Sequence, residues 1–155
     1  MSKSIFLMLG VFALTAFAAI GGDAQTHRRS VSGAEVTGTF SHRFPGRFRG
    51  STSDIKILAL GHGKIKVRFD LIYPHLDSKG GLTANTGEAE GEATITGDTA
   101  VYESKQFGAC KITINFVRPG RITVAQEGTD GDCGFGHNVM AGGTYRKVSS
   151  RKPKF

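Results

Sequence analysis

The sequence of 155 residues has no tryptophan, only two cysteines and four prolines, and one long apolar run. Two cysteines alone cannot form a structural zinc site of the usual four-ligand kind, and no histidine pair lies beside them at ligand spacing. No stretch after the apolar run is long enough to span a membrane as a helix. No later segment shows sustained helical periodicity, so we expect little helix. The chain is instead rich in glycine, with 22, and in phenylalanine, with 11.

The apolar run lies at the N-terminus and has the form of a signal peptide. Lys3 is the only charge before Asp23, and the residues between them are mostly apolar or small. Cleavage after Ala18 or after Ala24 satisfies the small-x-small rule. We predict a signal peptide over residues 1–24, and therefore a secreted protein, either extracellular or periplasmic. A membrane anchor is the alternative.

Short segments with alternating hydrophobicity follow the leader, separated by glycine-rich turns. Residues 64–73 are the clearest case, because apolar and charged side chains alternate as in a strand with one buried face. The apolar set there is Ile65, Val67, Phe69, Leu71 and Tyr73. The same pattern predicts eight strands, over residues 36–40, 54–60, 64–73, 87–95, 99–104, 110–117, 121–127 and 139–148. Residues 74–86, opened by Pro74, are expected to form a loop.

Eight antiparallel strands in chain order can close into an up-and-down barrel, which leaves no exposed sheet edge. We therefore predict a single all-β domain over residues 33–148, a meander closed into a barrel of about eight strands. A β-sandwich of the same strands is the alternative. A basic, flexible tail is expected over residues 149–155. The predicted interior residues are Ile65, Val67, Phe69, Ile112, Ile114, Phe116, Ile122 and Val124.

The two cysteines, Cys110 and Cys133, predict one disulfide, because paired cysteines in an exported chain are usually oxidised. Free thiols are the alternative. Cys110 begins the sixth predicted strand and Cys133 follows the seventh, so antiparallel pairing places both at the same end of the sheet.

The sequence predicts no catalytic residues, no metal site and no cofactor. It contains no H-E-x-x-H or G-x-S-x-G pattern. The alternating Glu88, Glu90 and Glu92 face one side of a strand. We interpret them as an ordinary charge ladder on the outer face, formed with neighbouring basic residues. Asp130 and Asp132 lack the rest of an EF-hand loop. An enzyme remains the least favoured class.

Two loops are candidate binding sites on a chain whose formal net charge is +7. One is the Arg-Phe loop, defined by Arg43, Phe44, Arg47, Phe48 and Arg49. It combines basic groups for anionic partners with aromatic rings for stacking. In the alternative interpretation the two phenylalanines plug the barrel end while the arginines face water.

The second candidate is the glycine-rich loop with Asp130 and Asp132, which could offer acidic groups to a basic partner. On the inward face, Gln126 needs a hydrogen-bond partner, since an unpaired buried amide is costly. A backbone group or a ligand in the barrel lumen could supply that partner.

Residues 124–126, the segment Cys-Gly-Phe-Gly-His-Asn-Val at 133–139 and Gly-Thr-Tyr-Arg at 143–146 form a pattern of the C-terminal half. This pattern resembles small exported calycin-like barrels and bacterial lysozyme-inhibitor-like proteins. The resemblance implies a calycin-like barrel with a binding or inhibitory role outside the cytoplasm. It assigns no functional residue.

We therefore expect a secreted, monomeric binding protein that recognises a macromolecular partner, an anionic polymer or a protein, through barrel-end loops. An inhibitor of a cell-wall hydrolase is one form of this function. The alternative is a carrier of a small apolar ligand inside the barrel, and a hydrolytic enzyme is favoured less. We expect no membrane span, and we do not expect nucleic acid to be the partner.

Overall fold

A computed structural model describes residues 29–155, so the predicted leader over residues 1–24 lies outside the described part. Eight antiparallel strands form one meander, and the last strand pairs with the first to close a barrel. The strands are β1 (Gly38–Arg43), β2 (Thr52–Gly61), β3 (Lys64–Leu76), β4 (Leu82–Thr96), β5 (Thr99–Ser104), β6 (Cys110–Arg118), β7 (Arg121–Glu127) and β8 (Gly143–Ser149). The predicted all-β barrel is confirmed, and the sandwich is not formed.

Helix is minor, as predicted. A one-turn helix, α1 (Gly33–Val36), precedes β1, and a 3-10 turn (Gly46–Phe48) lies between β1 and β2. Ser32 caps α1, since its hydroxyl accepts a hydrogen bond from the Glu35 N–H. Within residues 29–155, the structure has no helix long and apolar enough to cross a membrane.

Three predicted strand boundaries were wrong. Val36 belongs to α1 rather than to the first strand, and β8 begins at Gly143 rather than at residue 139. The loop expected over residues 74–86 is mostly strand, because β3 and β4 pair as far as Leu76 and Leu82. Pro74 is compatible with this ribbon. The Ile95 N–H donates to Gly63 O, so in the alternating pattern of an antiparallel pair every second residue of β3 from Lys64 onward directs its backbone nitrogen away from β4. Pro74 is one of these residues, and on that side β2 no longer pairs with β3. The missing N–H of the proline therefore breaks no hydrogen bond between strands.

The interior is filled by side chains from all around the barrel. The Phe40 and Phe116 rings meet edge to face with centroids 6.2 Å apart, and those of Phe69 and Tyr102 are 5.4 Å apart. All eight predicted interior residues are buried, at 7% exposure or less. Tyr73, which was expected to point inward, is 40% exposed, because the β3–β4 ribbon extends beyond the last residue of β3 that pairs with β2.

Strands β4 and β5 pair over only three residues, Thr94–Thr96 on the β4 side. Two aromatic rings fill the space where these strands diverge. A Cβ placed on Gly91 would lie 2.9 Å from Tyr102, and one placed on Gly87 would lie 2.8 Å from Phe135. The two glycines therefore allow the rings to lie directly on the backbone of β4.

Antiparallel order places the connections at two opposite ends of the barrel. The loop end carries the β1–β2, β3–β4, β5–β6 and β7–β8 connections. The hairpin end carries α1 and the β2–β3, β4–β5 and β6–β7 turns. Both candidate loops of the sequence analysis, residues 43–49 and residues 130–136, therefore lie at the loop end.

Candidate functional site

The disulfide joins Cys110, the first residue of β6, to Cys133 in the β7–β8 loop, with the Cα atoms 4.8 Å apart. This confirms the predicted pairing and excludes free thiols at these positions. Because β6 belongs to the barrel wall, the bond fixes the middle of a long loop to a rigid element.

The β7–β8 loop, residues 128–142, packs over the loop end of the barrel. Its apolar side chains Phe135, Val139 and Ala141 are buried at 7% exposure or less. The loop reaches β4, where the Gly136 N–H donates to Thr86 O at 3.0 Å. These contacts make the loop a part of the core, with an ordered outer surface.

Asp130 and Asp132 organise this loop from within. Asp130 accepts hydrogen bonds from the N–H groups of Gly131 at 2.8 Å and Asn138 at 2.6 Å. Asp132 accepts from the N–H and the hydroxyl of Thr129, both at 2.8 Å. These hydrogen bonds lower the pKa of both carboxyl groups below the ordinary value. Each carboxylate thus already accepts hydrogen bonds from groups of its own loop.

Gln126 lies on the inward-facing register of β7 but at the end of the strand, where it meets the same loop. Its Oε1 accepts a hydrogen bond from the Ala141 N–H at 2.8 Å. Its Nε2 donates to the carbonyls of Gly128 at 3.4 Å and Thr129 at 3.2 Å. Backbone groups therefore satisfy the hydrogen-bonding groups of the amide, which was one of the two possibilities that the sequence left open.

The Arg-Phe loop combines half-buried rings with exposed cations. Phe44 and Phe48 are half-buried, whereas Arg43, Arg47 and Arg49 are exposed. The His42 ring stands between the loop and the core, edge to face with Phe44 at a centroid distance of 5.1 Å. Phe44 thus packs against the barrel end, as in the alternative interpretation, Phe48 is half-buried, and the arginines face water.

Backbone hydrogen bonds order this loop. The Phe44 N–H donates to Ser51 O at 3.2 Å, and the Ser51 N–H donates to Phe48 O at 2.8 Å. Arg49 donates its N–H to Gly46 O within the 3-10 turn. In the described part of the chain, none of the loop arginines forms a salt bridge.

The glutamates of β4 form ion pairs with basic residues of β3, as expected for a charge ladder on the outer face. Lys66 and Glu90 are 2.8 Å apart, Arg68 and Glu88 are 3.2 Å apart, and Lys64 and Glu92 are 3.3 Å apart. An open groove of about 890 Å³ lies beside this ladder, on the outer wall between β4 and β5. Its charged lining is acidic and consists of Glu92, Asp98 and Glu103.

A second basic group, which the sequence did not predict, consists of Arg118, Arg121 and Arg146. These residues lie on neighbouring strands and line an open cleft of about 430 Å³ at the hairpin end. The segment Arg-Pro-Gly-Arg at 118–121 was a usable signal, because a two-residue turn places its flanking residues opposite each other. Arg146 carried no such signal, since its neighbour depends on the β7–β8 register.

Comparison with protein-family models, with curated proteins and with solved structures finds no match for this chain. The resemblance to calycin-like and lysozyme-inhibitor-like proteins therefore stays a prediction. Support for a function of the candidate sites therefore comes from the geometry of this chain.

Proposed function

We propose that this is a secreted binding protein that recognises an anionic macromolecular partner through the Arg-Phe loop at the loop end of the barrel. One observation carries the proposal: three exposed arginines without salt bridges, within residues 29–155, lie on a loop ordered by hydrogen bonds and aromatic packing. Unpaired arginine guanidinium groups suit planar or tetrahedral oxyanions, to which they donate paired hydrogen bonds.

Loop order supports binding because an ordered loop loses less conformational entropy when a partner docks. The Arg-Phe loop is held at its base by the Phe44–Ser51 backbone bond and inside by the 3-10 turn. Phe44 packs edge to face on His42 of β1, which holds the first part of the loop against the barrel end. The cations thus project from a prepared surface.

The packed interior favours surface recognition over the alternative of a carrier. Phe40, Phe69, Phe116 and Tyr145 are each at most 1% exposed and occupy the space that a lumen ligand would need. Gln126, the proposed lumen contact, is already bonded to loop backbone. A ligand would have to displace both kinds of contact.

An anionic partner is also favoured over a basic target such as a cell-wall hydrolase. Asp130 and Asp132 each accept hydrogen bonds within their own loop, so fewer of their oxygen lone pairs are left to accept from a basic partner. The chain carries a formal net charge of +7, so a basic protein would also be repelled at long range.

Heparin, as a linear sulfated polyanion, is a direct probe of this proposal. We expect the mature protein to be retained and to elute as salt screens exposed charges. The triple variant Arg43→Gln, Arg47→Gln, Arg49→Gln should elute at clearly lower salt. The matched control changes three exposed basic residues elsewhere, Lys79→Gln, Lys105→Gln and Lys152→Gln.

The control removes the same charge, so net charge alone predicts equal effects for the two triple variants. Site-specific binding predicts a larger loss for the loop variant. Equal elution of both variants, with both folded by circular dichroism, would contradict the Arg-Phe loop as the binding site.

A further inference from the structure

The second basic group forms an arginine ladder across three strands. Arg118 pairs with Arg121 across the β6–β7 turn, and Arg121 pairs with Arg146 across β7 and β8. Directly opposed residues of antiparallel strands have their Cβ atoms about 5 Å apart. Arg121 therefore has an arginine on each side.

This arrangement of like charges is electrostatically unfavourable. Like charges directly opposite each other in a sheet are destabilising, and the charges of Arg118 and Arg146 both lower the pKa of Arg121. In the described part of the chain, none of the three arginines forms a salt bridge. The β3–β4 wall is built differently, since each basic residue there has an acidic partner.

The backbone around the ladder is fixed. Pro119 and Gly120 form the two-residue connection between β6 and β7, and Gly120 adopts a positive φ of 74°. The Lys147 N–H donates to Gly120 O at 2.9 Å, which ties this turn to β8. The Lys147 ammonium points elsewhere, to the carbonyls of Ala34 at 3.0 Å and Thr37 at 2.9 Å. Within residues 29–155, the three arginines are thus the cations of the cleft that are not already bound to carbonyl groups.

We propose that Arg118, Arg121 and Arg146 form an oxyanion-binding site that takes a sulfate or phosphate group, separate from the Arg-Phe loop. An anion between the guanidinium groups would replace repulsion by charge-assisted hydrogen bonds. The cleft of about 430 Å³ that these residues line has room for a tetrahedral oxyanion. The site lies at the hairpin end, so it can fail while the proposed function stands, and the reverse also holds.

Thermal unfolding with sodium sulfate, against sodium chloride at equal ionic strength, tests the site. A free sulfate concentration of about ten times the Kd stabilises the folded state about elevenfold, which for a domain of this size raises Tm by about 5 °C. Arg121→Gln should lose this sulfate-specific increase. In low-salt buffer without sulfate, its Tm should equal or exceed that of the wild type, because two repulsions are removed.

Arg151→Gln in the exposed tail is the control, and it should keep the full sulfate response. Arg118→Gln serves as a second ladder variant should Arg121→Gln not fold. An equal sulfate response in wild type and both ladder variants, or no response beyond chloride in the wild type, would overturn the proposal.

Heparin elution then identifies the source of the anion. Given a positive thermal result, earlier elution of Arg121→Gln than of Arg151→Gln assigns the site to sulfate groups on a polymer. Equal elution of these two variants assigns it to the free ion.

Discussion

Replacing both half-cystines, Cys110→Ala with Cys133→Ala, should destabilise the protein without changing its fold. The disulfide closes a segment with a sequence separation of 23 residues. In the chain-entropy treatment, a loop of that length restricts the unfolded chain by about 3.4 kcal/mol at 25 °C. The variant regains this entropy when it unfolds, so its free energy of unfolding should fall by about that amount.

The native β7–β8 loop should stay in place in this variant. Phe135 and Val139 remain buried, and the Gly136–Thr86 hydrogen bond does not depend on the disulfide. The loss should therefore appear in the unfolding equilibrium while the amide of Gly136 stays protected from hydrogen exchange. Heparin retention should also be unchanged, because the Arg-Phe loop does not contact the disulfide.

Urea denaturation followed by circular dichroism measures the effect, with the midpoint and the slope m fitted separately. Reductant should destabilise the wild type by a similar amount and leave the double variant unaffected. A loss below about 1 kcal/mol would refute the reasoning, since it would mean that the unfolded chain is already restricted without the cross-link.

Three further changes test other parts of the structure. Phe116→Ala should cost about 3–5 kcal/mol in urea denaturation, because it leaves a cavity in the core. Val148→Ala, at a side chain that is 63% exposed, should lower the free energy of unfolding far less. Asp132→Asn should destabilise the protein at pH 7. Its deficit should shrink as pH falls, because the lowered pKa of Asp132 gives stability that is present above about pH 3.9 and lost as the folded carboxylate protonates. Lys147→Met should cost about 1.5–3 kcal/mol, since its ammonium donates to carbonyls around α1.

The interior of the barrel could be predicted because it depends on a period of two. In β3 and β6, each apolar residue is separated by one from the next, so one choice of face assigns the whole strand. Ile65 and Ile114, on different strands, are both buried for this reason. Local alternation requires no knowledge of distant contacts.

Alternation does not indicate where a strand leaves the barrel. Tyr73 has the inward parity of β3, yet it is exposed because the partner strand on one side has already ended. Gln126 has the inward parity of β7, yet its amide meets the β7–β8 loop rather than a lumen. The exposure of Tyr73 depends on the length of a neighbouring strand, and the partners of Gln126 depend on the loop that packs over the barrel end.

The arginine ladder was missed for a related reason. Arg121 and Arg146 are separated by a long loop in sequence, and they become neighbours only through the register of β7 against β8. A shift of that register by one residue would place Arg146 on the opposite face from Arg121. Composition alone indicated excess positive charge, but the three-dimensional pairing decides where that charge is concentrated.

Charged residues are arranged differently on two sides of the barrel. The outer wall of β3 and β4 neutralises its basic residues, because each faces a glutamate within ion-pair distance. Within residues 29–155, the arginines on the wall of β7, β8 and β1 form no salt bridge. There Arg146 lies opposite Ser41, and Arg43 follows two residues later on the same face of β1. Arg43 of the Arg-Phe loop and the ladder thus lie on one side of the barrel, and an anionic partner approaching that side would meet both.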